Sequence, residues 1–234
     1  MKQQIIGVLG GMGPQASNEL YRLLIEGARR KFGAQTNDGY PEILIDSVPV
    51  PDAFDDPQKM EAVAHMLENR VDRMTKYGAT TITMACNTVS VYADRLQKRT
   101  SVPVISVIEE VVSEVLKYHK KVLLLASPTS LHIGLYQKPL RKSGIVCMVP
   151  EIKDYKILDS IICGVLKGTD RKILQKRLVR LTDKLLIDKN ADAVILGCTE
   201  LPLVFPIDYR LPVYSSLSIL AESLLKRYYK EEGI

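Results

Sequence analysis

The sequence has only four cysteines and three histidines among its 234 residues, and neither set is spaced like the ligands of a metal. The cysteines include no CxxC pair, and His65, His119 and His132 show no zinc-binding spacing. We therefore expect no metal site, and a chain of this length needs no disulfide framework to fold. Cys147 and Cys163 lie inside apolar runs and are predicted to be small buried hydrophobic residues.

The sequence also lacks the marks of a membrane-spanning, exported or nucleic-acid-binding protein. No apolar run approaches the ~20 residues of a membrane span, and the run at residues 5–10 is too short for a secretory leader. The net charge of +5 is modest, and the basic residues form only short clusters of the kind found on solvated helix faces. We expect a cytoplasmic protein with reduced thiols that binds neither nucleic acid nor membrane.

Cofactor motifs are missing as well. The glycine-rich stretch at residues 10–13 follows an apolar run, but it has neither the GxGxxG spacing of a dinucleotide site nor the lysine of a phosphate loop. No lysine stands in a context that indicates a Schiff base. The sequence therefore predicts chemistry that needs no cofactor.

Short apolar runs alternate with amphipathic segments along the whole chain. Runs rich in Ile, Val and Leu predict strands, and the segments between them have helical periodicity. This alternation is typical of parallel sheets covered by helices on both faces, so we expect an α/β fold with three layers. The predicted strands are 5–10, 42–48, 80–85, 103–107, 121–127, 146–150, 193–197 and 212–216, and the main helices are 17–32, 58–77, 106–118, 156–167, 171–187 and 218–231.

The two halves of the sequence repeat one pattern. Residues 78–88, GATTITMACNT, align without a gap to residues 190–200, NADAVILGCTE. Each segment reads as a buried strand followed by a small residue, a cysteine and polar side chains. We therefore expect two similar α/β domains related by a pseudo-twofold axis. The flanking segments correspond too, 5–14 with 121–130 and 102–107 with 211–216.

Cys86 and Cys198 occupy equivalent positions in this repeat. Ligands of open α/β sheets bind beyond the carboxyl ends of the strands, where both thiols are predicted to lie. The polar residues Asn87, Thr88 and Thr199 fit the N-cap of a helix, whose N-terminus favours a thiolate. Capping alone does not explain why a cysteine precedes the polar pair both times.

Two facing thiols with one substrate carbon between them suit inversion of that carbon. One sulfur, as thiolate, removes a proton, and the other, as thiol, delivers a proton to the opposite face. Each sulfur has to lie roughly 3–3.5 Å from the carbon to react. Thiols suit both roles because their unperturbed pKa, about 8.5, can be tuned towards neutral pH.

These motifs, in this order and spacing, resemble the aspartate/glutamate racemase family, whose members racemise amino acids without pyridoxal phosphate. The resemblance covers nearly the whole chain. It implies two α/β domains with the active site in the cleft between them, commonly in a homodimer, and it implies that Cys86 and Cys198 are the acid/base thiols. The stretches that carry it are GVLGGMGP (7–14), MACNT (84–88), VPVISVIEE (102–110) and LGCTE (196–200).

The resemblance also implies domain boundaries and substrate-binding residues. The first domain would comprise residues 1–110 and take back 212–234, and the second would comprise 111–211. Side chains after both cysteines and backbone N–H groups of the first glycine-rich turn would hold the α-carboxylate, with hydroxyls of a second turn nearby. These residues are Gly11, Met12, Asn87, Thr88, Ser127, Ser130, Thr199 and Glu200.

The residue after Cys198 and Thr199 favours the aspartate branch of the family. Glutamate racemases typically have the motif GCTH and a DSGxGG turn near the start of the chain. This chain has Glu200 in place of that histidine and GGMGP in its first turn. Ala53 stands where archaeal aspartate racemases carry an arginine, and Leu166, next to Lys167, where they carry a lysine. Arginine binds a carboxylate through its positive charge and through two parallel hydrogen bonds. Its absence therefore weakens the expected binding of a substrate side-chain carboxylate. We expect aspartate as substrate, with glutamate or a broader range left open.

Two alternatives stay open. Related folds with cysteines in these positions catalyse maleate isomerisation or hydantoin racemisation. A non-catalytic protein that binds a dicarboxylate or an amino acid would keep the binding residues, although binding alone needs no thiols. Exchange of the substrate α-proton in D₂O distinguishes these classes.

Overall fold

The computed structural model describes residues 4–51 and 56–231. All eight predicted strands are present, most of them a residue or more shorter than the apolar runs that predicted them. The strands are β1 (Ile5–Gly10), β2 (Glu42–Ser47), β3 (Thr81–Met84), β4 (Val104–Ile105), β5 (Lys121–Leu125), β6 (Val146–Met148), β7 (Ala193–Leu196) and β8 (Val213–Ser215).

The six predicted helices are also confirmed, and the described residues contain four further, shorter helices that the sequence did not predict. The four additional helices lie after strand ends or between turns. They are too short to show a recognisable helical periodicity in the sequence. In chain order the helices are α1 (Pro14–Lys31), α2 (Pro57–Lys76), α3 (Ala93–Gln97), α4 (Val107–Leu116), α5 (Pro128–Ile133), α6 (Gln137–Lys142), α7 (Ile152–Leu166), α8 (Arg171–Lys189), α9 (Leu201–Val204) and α10 (Ser216–Glu231).

The strands form two parallel four-stranded sheets with the same strand order. The first sheet runs β2-β1-β3-β4 and the second runs β6-β5-β7-β8, so the second set of four strands repeats the arrangement of the first. Helices connect the parallel strands, as the alternation of apolar and amphipathic segments predicted. The α/β fold class is therefore confirmed.

The sequence repeat is reproduced in the backbone hydrogen bonds. The N–H of Ala85 donates to the carbonyl of Leu9 at 2.9 Å, and the aligned N–H of Gly197 donates to the carbonyl of Leu125 at 2.7 Å. Both bonds join the residue just before a motif cysteine to the strand beside it. The two cysteines therefore occupy the same position relative to their own sheets.

The chain divides into two compact units. The first comprises Met1–Val107 and Leu220–Ile234, and the second comprises Ile108–Ile219. The first unit is thus discontinuous in sequence, because most of α10 packs with residues from the beginning of the chain. In the described parts of the chain, no helix combines the length and apolar character needed to cross a membrane.

The core of the first unit is closed by the end of α10. Tyr229 stacks on Phe32 with ring centroids 4.6 Å apart, and its hydroxyl donates to the carbonyl of Gly39 at 2.7 Å. Leu225 packs so closely on Gly27 that a β-carbon there would lie 2.6 Å from its methyl group. These contacts attach the C-terminal helix to α1 and to the turn that follows it.

The second unit has a central pair of strands, β5 and β7, with fully buried side chains. Val122 to Leu125 and Ala193 to Leu196 are at most 1 % exposed. The helices α7 and α8 are joined by a hydrogen-bonded ion pair between Lys184 and the buried Asp154, at 2.8 Å. This rigid base carries the second motif cysteine at the carboxyl end of β7.

Candidate active site

Cys86 follows the carboxyl end of β3 and is only 8 % exposed. It belongs to the apolar cluster of the first unit, together with Met84 and Val89. The carbonyl oxygen of Cys86 accepts a hydrogen bond from the Ser90 hydroxyl at 3.3 Å. The first thiol is therefore held at a strand end by an apolar base and by the short 3₁₀ turn Thr88–Tyr92 that follows it.

The segment after Cys86 is fastened to α2 by Arg95 in α3. Arg95 donates from Nε to Glu68 and from Nη1 to Glu61, both at 2.8 Å. The same guanidinium lowers the pKa of Glu61 and Glu68 below the usual carboxyl value. Because these pairs bridge two elements, they limit movement of the turn that begins beside Cys86.

The capping role expected for the residues after the cysteines is not what the structure shows. Asn87 is at the N-cap of the 3₁₀ turn but makes no capping hydrogen bond, and Thr88 is the first residue of that turn. The N-cap of α9 is Glu200 rather than Thr199, so the capping prediction for Thr199 is wrong. The two helical segments have five and four residues, so any helix dipole acting on the thiols is small.

The first glycine-rich turn brings together Gly11 and a serine that the sequence analysis missed. The N–H of Gly11, one of the predicted substrate ligands, donates to Ser17 Oγ at 2.9 Å. Gly11 has a φ of +88°, and a β-carbon there would lie 2.6 Å from the backbone nitrogen of Val48. Met12, the next predicted ligand, packs against the apolar cluster that contains Cys86. Glycine is therefore required to bring this turn against β2.

Cys198 has a polar partner inside the second unit. The thiol is 6 % exposed and donates a hydrogen bond to Glu200 Oε2 at 3.0 Å. The Thr199 hydroxyl donates to the same oxygen, also at 3.0 Å. A carboxylate within hydrogen-bond distance of a thiol is placed to accept its proton. The residue expected to bind substrate, Glu200, is therefore in contact with the second thiol itself.

Tyr136 is a further residue at this thiol that the sequence analysis did not identify. It is fully buried, and its ring covers Gly197, the residue before Cys198. Burial raises the pKa of the Tyr136 hydroxyl well above its usual range, and the charge of Cys198 raises it further, while the Ser216 hydroxyl acts in the opposite direction. Tyr136 therefore stays protonated at neutral pH.

The second turn places two predicted hydroxyls at the start of α5. Ser127 is the N-cap of α5 and accepts a hydrogen bond from the backbone N–H of Ser130 at 3.2 Å. Ser130 is fully buried, and its own hydroxyl has no hydrogen-bond partner within the described residues. A buried hydroxyl without a partner is costly, so Ser130 is suited to bind a ligand.

With both thiol environments described, comparison with known proteins identifies the family. The sequence model of the Asp/Glu/Hydantoin racemase family matches residues 9–224. The chain belongs to the Asp/Glu/Hydantoin racemase family. The resemblance inferred from the four sequence stretches is therefore confirmed.

Relatives of this racemase-family protein match it over nearly its full length. It is 27% identical to the broad specificity amino-acid racemase of Bacillus subtilis (strain 168) over 227 residues, which cover 96% of this chain and 98% of the relative. It is similar to the structure of an aspartate racemase homologue from Pyrococcus horikoshii OT3, with a TM-score of 0.83, 32% identity and coverage of 98% and 100%. For the aspartate racemase of Picrophilus torridus the TM-score is 0.82, the identity 25% and the coverage 97% and 94%.

The side-chain pocket expected in this racemase-family protein is described only in part. Ala53 lies outside the described residues. Leu166 is the last residue of α7 and is exposed, and Lys167 is the C-cap residue beside it. Among residues 4–51 and 56–231, no three His, Cys, Asp or Glu side chains form a group that could hold a metal ion.

The two remaining cysteines differ from their prediction. Cys147 and Cys163 were expected to be buried, but each is partly exposed. Cys147 lies on the edge strand β6, where burial of the sulfur raises the pKa of its thiol to about 12 and the nearby Arg141 opposes the shift. Cys147 therefore stays protonated at neutral pH and is a suitable control for the motif thiols.

Proposed function

We propose that this protein is an amino-acid racemase that inverts the α-carbon without pyridoxal phosphate, with Cys86 and Cys198 as its two acid/base thiols. The observation that carries the proposal is the equivalence of the two thiols. Each follows the strand beside β1 or β5, and each is preceded by a residue that makes the same backbone hydrogen bond. Packing alone gives no reason for a thiol at both positions.

In one direction of the proposed reaction, the Cys198 thiolate removes the α-proton and becomes a thiol. Cys86, as thiol, gives its proton to the opposite face of the planar carbanion and becomes a thiolate. One proton leaves the substrate and one enters it, and exchange with water resets the two sulfurs. Glu200 supports this cycle because its carboxylate is hydrogen-bonded to the Cys198 sulfur and can accept and return the thiol proton.

We propose an acidic amino acid, aspartate first, as substrate, with a range that extends beyond it. The similarity to aspartate racemases supports aspartate, and the similarity to a broad specificity amino-acid racemase supports the wider range. Leu166 and Ala53 also favour the wider range, because neither offers a charge to the side-chain carboxylate. The α-carboxylate would be held by Asn87, Thr88 and Thr199 and by the backbone of the first turn at Met12, with the Ser127 and Ser130 hydroxyls near the substrate. The N–H of Gly11, expected to take part, donates to Ser17 Oγ instead.

Incubation in D₂O with single L-amino acids, without added cofactor, tests the activity. We expect the α-proton signal to disappear from the NMR spectrum of L-aspartate as deuterated D-aspartate forms. Iodoacetamide should abolish this exchange. Exchange that continues after complete alkylation of Cys86 and Cys198 would contradict the proposal, and thermal stabilisation by a dicarboxylate without any exchange would favour a binding protein.

Single substitutions of the cysteines test the two-thiol mechanism. Cys86→Ser and Cys198→Ser should each lower racemisation by a factor on the order of 10²–10⁴, because a hydroxyl is a poor base at neutral pH. With an analogue that carries a leaving group on the β-carbon, each variant should keep elimination from a different enantiomer, since elimination needs only the base.

The two cysteines outside the motifs provide matched controls. Cys147→Ser and Cys163→Ser should racemise at the wild-type rate. If a motif variant also keeps the wild-type rate, or if both motif variants lose elimination of the same enantiomer, a one-cysteine isomerase becomes the better explanation.

A further inference from the structure

A cavity lies beside the edge strand β6 of the second sheet. Its volume of about 840 Å³ is within the range of small-molecule sites, and residues of α5, α6 and β6 line it together with the adjoining turns. All of the lining residues belong to the second unit. They include neither motif cysteine and none of the proposed substrate-binding residues, so the proposed reaction gives this cavity no role.

The wall of the cavity is basic, and no carboxylate neutralises it. Lys138 and Arg141, both on α6, line the cavity, and neither forms an ion pair with another residue of the described chain. The sequence has no Asp or Glu from residue 121 to residue 150, and the described lining contains none either. Gly134 leaves room for the lysine, because a β-carbon there would lie 3.3 Å from Lys138 Cε. The cavity therefore attracts an anion.

The edge strand β6 adds a backbone donor. Among the described strands β6 pairs with β5 alone, and the N–H of Val146 donates to the carbonyl of Lys120 at 2.8 Å. Backbone groups of successive residues in a strand point to opposite sides, so the N–H of Cys147 points away from β5, towards the open edge of the sheet. Cys147 lines the cavity. An anion bound there is therefore able to accept a hydrogen bond from this N–H.

Much of the remaining lining is apolar. Val146 is 55 % exposed on the edge strand, whereas Ile145 before it is buried. Covering exposed apolar surface with an apolar ligand group is favourable, because it removes that surface from water. The aliphatic side chains of the lining are Ile133, Ile145, Val146 and Val149.

We propose that this cavity binds an organic anion with an apolar body, such as an aromatic carboxylate or sulfonate. The anionic head would contact Arg141, Lys138 and the N–H of Cys147, and the body would cover the aliphatic side chains. An uncharged ligand would leave both cations without a partner, and a small inorganic anion would leave most of the cavity empty. The proposal does not depend on racemisation, because none of these residues is assigned to that reaction.

Binding of 8-anilinonaphthalene-1-sulfonate to the full chain tests the proposal, because this probe joins a sulfonate to aromatic rings. We expect one molecule to bind per chain in isothermal titration calorimetry, with an increase in fluorescence. N-phenyl-1-naphthylamine, which lacks the sulfonate, and inorganic sulfate, which lacks the rings, should each bind about tenfold more weakly or worse. Equal affinity for the uncharged naphthylamine would contradict an anion site.

Two variants of Val146 form a matched pair. Glutamate and glutamine have the same size at this exposed position, but only glutamate brings a negative charge to the cavity. Val146→Glu should therefore bind the sulfonate probe about tenfold more weakly than Val146→Gln. Equal binding by the two variants, both folded by circular dichroism, would overturn the proposal.

Arg141→Gln tests the cationic wall directly. It should weaken probe binding about three- to fivefold, the effect of one exposed charge contact. Arg180→Gln, on the exposed part of α8 and outside the cavity lining, makes the same change of charge and should have no effect. Equal losses in the two variants would show a dependence on net charge alone and would contradict a site at α6.

Nuclear magnetic resonance locates the bound probe. The backbone amide signal of Cys147 should shift on addition of the sulfonate, and L-aspartate should not displace the probe. Displacement by L-aspartate would place the probe in the proposed substrate site and would overturn the assignment to this cavity, as would an unchanged Cys147 amide.

Discussion

The two motif cysteines occupy equivalent positions, yet their neighbours differ. Cys86 lies in an apolar cluster, whereas Cys198 is hydrogen-bonded to Glu200. In the aligned motif Thr88 stands opposite Glu200, so the carboxylate has no counterpart at that position of the first half. The second thiol therefore has a carboxylate partner at a motif position where the first half has a threonine.

Replacing Glu200 by glutamine tests the role of this carboxylate. The amide keeps the size of the side chain but cannot accept the thiol proton, so kcat/KM should fall on the order of 10²-fold. The loss should be equal for L- and D-substrate, because enantiomers have equal free energy. Glu109→Gln, on the exposed part of α4, should have no effect on kinetics measured by polarimetry.

Alkylation gives Glu200→Gln a second, independent signature. Without a carboxylate beside Cys198, the thiolate should form more readily, so the pH midpoint of iodoacetamide alkylation at Cys198 should move down. A glutamine variant with both wild-type turnover and a wild-type alkylation profile would mean that Glu200 has no part in proton transfer.

At the level of elements, the turns at the strand ends restrict the choice of residue more than the strands do. Gly11 combines a positive φ with a close approach to Val48, so it cannot carry a side chain without moving β1 or β2. Gly33, after α1, has a φ of +75°, but a β-carbon built there would meet no atom within 4 Å. A positive φ is present at both glycines, whereas a steric clash with an added β-carbon is present only at Gly11. Comparing the two positions therefore separates the costs of these two effects.

Alanine at these two positions should have different costs. Gly33→Ala should lower the free energy of unfolding by about 1–2 kcal/mol, the cost of a left-handed non-glycine residue. Gly11→Ala should cost clearly more, because the added carbon also meets the backbone of Val48. Urea denaturation of both variants measures the difference, and equal losses would show that the turn adjusts freely.

For the whole molecule, the important feature is that the first unit is completed by the end of the chain. Residues of α10 pack on α1, so the unit that contains Cys86 needs the last described helix to close its core. Tyr229 contributes most visibly, through its stacking on Phe32 and its hydrogen bond to Gly39.

Tyr229→Ala should therefore destabilise the protein strongly. Tyr229 is 2 % exposed, and truncating a buried aromatic side chain costs about 3–5 kcal/mol. Tyr77→Ala, at a tyrosine of the same unit that is 68 % exposed, should change the free energy of unfolding little. Comparable losses for the two variants in thermal or urea unfolding would contradict a closing role for α10.

The α/β class, the strands, the long helices and the equivalence of Cys86 with Cys198 could all be predicted from the amino-acid sequence. These features rest on patterns that are local in sequence: apolar runs predict buried strands, helical periodicity predicts helices, and an ungapped repeat predicts equivalent positions. Both thiols can therefore be identified from the amino-acid sequence alone. The short helices α5 and α9 were not predicted because they have too few residues to show a helical period in the sequence.

The surroundings of each thiol depend on tertiary packing and could not be predicted from the sequence. Tyr136 is far from Cys198 in sequence and has no motif, and it became visible only because the fold lays its ring on Gly197. Ser17 was missed for the same reason, since its bond to Gly11 depends on how α1 leaves the turn. Glu200 was recognised as a site residue, but its hydrogen bond to the sulfur depends on the turn into α9. Side-chain partners follow from packing between elements, and packing leaves no local pattern in the sequence.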